Sequence, residues 1–225
     1  MAKKQQNQGD EQLANVQETL VQSEQWLEKN RTPLLVCVGV IVVLVLGFFA
    51  IKKFWYEPRV LEGAQAIAQC QDYLAVDSFR VALEGDEFDC IGFLGVIDEY
   101  SMTPSAKLAK LYAGECYYHL GKYEDAVEYL KDVNVKGINA APAAKQLLGD
   151  AYVELQQYDE AVSAYKDAIS ADNDYFTPSS LQKLGHVYEQ LGKKDEAKEA
   201  YQRIKDEYAD SFVAVDVEKD LARVR

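Results

Sequence analysis

Cys116 and His119 stand three residues apart in a stretch of helical periodicity, a spacing that can turn two soft ligands to one face. A zinc site needs about four such ligands. The other histidine, His186, lies too far along the chain to complete one and has no nucleophile at catalytic spacing. The pair is therefore read as a small apolar thiol beside a surface imidazole. The acidic pairs Glu124–Asp125, Asp159–Glu160 and Asp195–Glu196 have the composition of an acid–base centre. Each, however, opens a helical pattern, where negative charge complements the helix dipole, and all three are read as structural. The sequence carries no GxxxxGK, GxGxxG, HExxH or GxSxG motif. The expectation is a protein with no catalytic residue, no metal and no cofactor. Cys37 lies in an apolar run. Cys70, Cys90 and Cys116 form no CxxC pair and leave room for one bridge whose partners the spacing does not select.

Charge is distributed unevenly over the 225 residues, whose net charge is −13. Residues 1–58 balance six basic against six acidic side chains, so the whole excess of acid sits in residues 59–225. Phosphate recognition needs clustered Lys and Arg, which excludes a nucleic-acid partner. An acidic domain favours neutral or cationic partners. Residues 33–51, PLLVCVGVIVVLVLGFFAI, carry no charge. At ~1.5 Å per residue they reach across a bilayer's hydrocarbon core. Lys29 and Arg31 precede the run and Lys52 and Lys53 follow it, with Trp26, Trp55 and Tyr56 just outside, where amphipathic rings favour the interface. The segment reads as a single membrane span. Thirty-two residues precede it and Phe48 stands where a signal cleavage site wants a small residue, so the expectation is an uncleaved anchor. Two basic residues before the span and three after leave orientation open. Residues 1–9 read as a disordered tail. Residues 10–32 read as an amphipathic juxtamembrane helix, with Leu13, Val16, Leu20 and Leu27 on one face.

The C-terminal part repeats. YAGECYYHLGKYEDAVEYLKDV, LGDAYVELQQYDEAVSAYKDAI and LGHVYEQLGKKDEAKEAYQRI place Gly114, Gly149 and Gly185 in one column. Tyr117, Tyr152 and Tyr188 form a second, Ala126, Ala161 and Ala197 a third, and Leu130, Tyr165 and Tyr201 a fourth. The small residues predict close helix–helix approach and the large ones the seam between repeats. Gly121 and Gly192 fall where a helix end wants a left-handed residue. Such units bury their second face only by stacking, so an all-α solenoid follows.

Residues 107–211 resemble tetratricopeptide repeats, helix–turn–helix units of about 34 residues. The repeats run over 107–140, 142–175 and 178–211. A degenerate repeat occupies 59–106, with helices near 59–74 and 89–101 joined by an overlong connection, and a capping helix fills 211–225. The usual Trp is replaced by Lys110, Lys145 and Leu181, and the repeat-ending Pro is missing from all three copies. The layout along the whole chain resembles the YfgM-like ancillary translocon subunits of bacterial inner membranes. That resemblance implies a cytoplasmic N-terminus and a periplasmic repeat domain near the secretion translocon and periplasmic chaperones. The resemblance to the repeat family implies a concave groove lined by first-helix positions. These are Leu111, Glu115, Tyr118 and His119, then Gln146, Asp150, Val153 and Glu154, then Gln182, His186, Glu189 and Gln190. The carboxylate clamp that holds cytosolic chaperone tails is missing: Leu111, Glu115, Leu147, Ser179 and Lys183 occupy its positions, and only Lys183 is basic. The expected function is a membrane-tethered scaffold that takes a neutral-to-basic segment, anchored by Tyr118 and Val153 in the field of Glu115, Asp150, Glu154 and Glu189. The alternatives are a holdase for exported clients and a cytosol-facing adaptor.

Overall fold

The computed structural model describes Trp26, residues 28–135 and residues 137–225. The tail expected over 1–9 and most of the helix expected over 10–32 lie outside the described residues. The described residues fall into two compact units divided between Tyr56 and Glu57. No strand occurs among them.

The first unit contains α1 (Arg31–Ile51) and a π-helical turn over Lys52–Tyr56. Helix α1 is apolar on every side and none of its residues is buried against other parts of the chain. It is long and apolar enough to cross a membrane.

The second unit is a succession of helix pairs. Helices α2 (Glu57–Leu74), α3 (Phe79–Glu84) and α4 (Gly92–Glu99) come first. Then come α5 (Pro104–His119) with α6 (Tyr123–Lys131), α7 (Ala140–Glu154) with α8 (Tyr158–Ile169), and α9 (Phe176–Gln190) with α10 (Lys194–Glu207). The stretch between α2 and α4, expected to be a bare connection, contains α3, which buries Ala82 and Leu83. It is also stapled: Cys70 of α2 and Cys90 form a disulfide with Cα atoms 5.2 Å apart. The Asp86 carboxylate accepts the Tyr73 hydroxyl and the amides of Phe88, Asp89 and Cys90. Those bonds favour the charged form and lower its pKa to about 2, with the Tyr73 hydroxyl the largest cause. The end of the chain is not one helix. Residues Phe212–Val215 wind as a 3-10 turn, and α11 (Val217–Arg223) follows. The β-branched Val213, Val215 and Val217 disfavour a regular helix through this stretch, while Val213 and Val217 stay buried.

Helix α5 begins as its sequence requires. Pro104 takes the first helical position, and the buried Thr103 hydroxyl accepts the Ala106 amide at 3.4 Å. The turns between paired helices are built alike. Gly121, Gln156 and Gly192 have φ of 70°, 58° and 72°. In each turn the next amide reaches back to a first-helix carbonyl: Lys122 to Tyr117, Gln157 to Tyr152 and Lys193 to Tyr188. Two sequence columns meet face to face. A Cβ built on Gly149 would lie 2.5 Å from the Tyr165 ring and one on Gly114 2.5 Å from Leu130, and the same clash arises between Gly185 and Tyr201. The core runs through the pairs in three clusters, around Phe93 and Cys116, around Leu130 and Leu148, and around Tyr165, Tyr201 and Ile204.

Candidate peptide-binding face

The residues placed on the groove by the repeat pattern sit on α5, α7 and α9, and their surroundings differ sharply. Leu111 is buried in the second core cluster and offers little surface. Glu115 and Tyr118 are half-buried. Burial raises the Glu115 carboxyl above the usual range, with His119 opposing. The Tyr118 hydroxyl is pushed up to about 12, by burial first and then by the negative charges of Asp150 and Glu154 on the neighbouring helix α7. Tyr118 thus stands in the field of two α7 carboxylates. His119 is exposed and stacks on Phe79 of α3, with ring centroids 4.4 Å apart. Beside it Cys116 is fully buried, and burial pushes its thiol up to about 12, far from a thiolate ligand.

On α7 the Asp150 carboxylate lies 2.6 Å from Lys183 Nζ of α9 and accepts the Tyr165 hydroxyl at 2.7 Å. Its charge is met within the domain. Gln146 Oε1 accepts the hydroxyls of Ser179 and Ser180 at 2.7 and 2.9 Å, which ties α7 to α9. Val153 is half-buried and Glu154 exposed. On α9 three of the four expected groove residues meet α11. Gln182 donates to Asp220 at 2.8 Å, and His186 Nε2 lies 3.6 Å from the same carboxylate. Arg223 donates to Glu189 through Nη2 at 2.9 Å and Nε at 3.2 Å, and Tyr201 adds its hydroxyl. Those contacts hold the Glu189 carboxyl below the usual range, Arg223 first among them. Gln190 is exposed.

The recurring geometry is a first helix bonded to a helix about one repeat later, first helix to first helix in Gln146–Ser179 and Asp150–Lys183 and first helix to the closing α11 in Glu189–Arg223. It decides what kind of molecule this is. The profile of the tetratricopeptide repeat-like domain matches residues 24–215. The chain belongs to the tetratricopeptide repeat-like family. Among solved structures the crystal structure of MamA is similar, with a TM-score of 0.47 and 27% identity, over 59% of this chain and 76% of that one. No curated protein matches.

A tetratricopeptide repeat-like array is a protein-interaction scaffold, typically without enzymatic activity. In this one, the sequence pattern does not name Ser180, Asp220 and Arg223, and it names Ser179 and Lys183 only as departures from the carboxylate clamp; all five bond to residues expected on the groove. A spacing of 33 or 34 residues between complementary first-helix residues was the available signal. The field left open is that of Glu115 and Glu154, since Asp150 and Glu189 are neutralised from within. On another part of the repeat domain, clefts of about 250, 490 and 350 Å³ include Lys110, Lys145 and Leu181, where this family usually carries Trp.

Proposed function

We propose that the chain is a membrane-tethered adaptor. Helix α1 crosses a bacterial inner membrane once, the N-terminus is cytoplasmic, and the repeat domain stands in the periplasm near the secretion translocon and its chaperones. There it holds a neutral-to-basic segment of a partner protein against α5 and α7. The observation that carries the binding reading is half-buried Tyr118 on α5, one helical turn from Glu115 and within the electrostatic reach of Glu154 on α7, with no Lys or Arg ion-paired to those two acids among the described residues. The Cys70–Cys90 disulfide supports export, because such bonds persist in oxidising compartments and are rare in the cytosol. The translocon neighbourhood rests on the resemblance of the chain's layout. An adaptor is favoured over a holdase because burial of Leu111 leaves Tyr118 and Val153 as the apolar residues expected on the α5–α7 face, too little for that face to hold unfolded clients.

The test is a titration of the full chain in zwitterionic nanodiscs with an extended Lys-containing peptide at low and high salt. Salt-sensitive binding that Glu115→Lys and Glu154→Lys each weaken about tenfold supports the reading. Binding indifferent to both salt and these substitutions overturns it.

A further inference from the structure

The turns that join one repeat to the next carry large apolar side chains that no core accepts. Ile138 is 79% exposed, Tyr175 64%, Phe212 64% and Val215 81%. They are not loose ends. Asn173, itself buried, donates to the Ile138 carbonyl at 2.9 Å and accepts the amides of Tyr175 and Phe176, which locks the two turns together. The Tyr175 and Phe212 rings lie with centroids 6.1 Å apart. The result is a row of exposed apolar residues along the last three inter-repeat turns, the first two turns tied by a buried amide and the last two joined by the Tyr175–Phe212 ring contact. Exposed patches of this kind, aromatic at the centre and polar at the rim, mark interaction surfaces.

We propose that this edge docks a basic amphipathic helix of a partner protein, its apolar face on Tyr175 and Phe212 and its cations on the surrounding carboxylates. Charge selects that occupant. Exposed Asp172, Asp174 and Asp210 stand in the turns that carry Tyr175 and Phe212, while Asp216 beside Val215 is met by Lys219 at 2.6 Å. An anionic lipid surface meets that rim with like charge, and so does the same edge of a second copy. A helix with Leu on one face and Lys or Arg on the other matches both parts at once. The edge is separate from the Glu115–Tyr118–Glu154 face, so the two can be occupied independently.

The probe is an amphipathic Leu/Lys helical peptide, titrated by fluorescence anisotropy against the full chain in zwitterionic nanodiscs, with empty discs as background. The substitutions Tyr175→Ser and Phe212→Ser fall on exposed side chains, and unchanged thermal melting confirms that they fold. The pair of substitutions is expected to weaken binding at least about tenfold. Asp174→Asn with Asp210→Asn is expected to flatten its salt dependence. The proposal is overturned if the double serine variant binds as the parent does, or if a Leu/Glu peptide binds equally well. It is also overturned if those substitutions instead abolish self-association or partition onto anionic vesicles. Loss of binding on Glu115→Lys alone returns the peptide to the α5–α7 face and removes the edge from the account.

Discussion

Single residues decide how closely the helices of each repeat approach. Gly149 faces the buried Tyr165 ring, whose hydroxyl is fixed on Asp150, so the ring cannot swing aside for a methyl group. Ala at this position gains about 1 kcal/mol of helix propensity but meets an overpacking cost of about 1–3 kcal/mol. Gly149→Ala is expected to lower the melting temperature by a few degrees; an increase contradicts the contact. Gln156 is the opposite case. It holds φ 58° in the turn where Gly121 and Gly192 stand in the other repeats, and Gln156→Gly is expected to stabilise by about 1 kcal/mol in chemical denaturation. Glu115 gives a pH signature. Burial raises its carboxyl, so the folded chain holds that proton more tightly than the unfolded chain does. As pH falls through a window beginning above the ordinary Glu range, protonation of Glu115 favours folding and weakens binding of a basic peptide. Peptide anisotropy across pH should show that loss, and Glu115→Gln should bind weakly at every pH. A variant that keeps the parent's pH profile contradicts the assignment.

Among the elements, the helix pairs from α5 to α10 were legible because their determinants are local and repeat. Gly, Tyr and Ala columns at one period report the contacts that each pair makes with itself. The segment from α2 to α4 was only partly legible, because its determinants are particular to it. Nothing in a spacing of twenty residues marks Cys70 and Cys90 as partners, and α3 is too short to show periodicity of its own. The residues named for the groove fall on α5, α7 and α9, but the pairing of their charges was not legible. Lys183 and Arg223 reach Asp150 and Glu189 from 33 and 34 residues away, a relation set by how α7, α9 and α11 pack in succession, and the pattern within one helix does not report it. The disulfide closes a loop of that size for about 3 kcal/mol by chain entropy. Reducing it, or replacing Cys70 and Cys90 with Ser, is expected to lower the melting temperature by roughly 6–12 °C. The same change should release hydrogen-exchange protection in α2–α4 before α7–α10. Identical melting of the oxidised and reduced chains contradicts a structural role for the bond.

At the scale of the whole molecule, an apolar helix with no face for a protein core and an acidic, stapled repeat array make sense together if lipid holds one and an oxidising compartment the other. The stacked first helices then give the exported part a surface for partners, and no catalytic centre is needed for that work. The most direct test is protease treatment of intact spheroplasts that carry a C-terminal epitope on the chain. The account predicts that the repeat domain is digested without detergent, while a cytosolic marker survives. A repeat domain protected until the membrane is dissolved would place it in the cytosol and contradict the account.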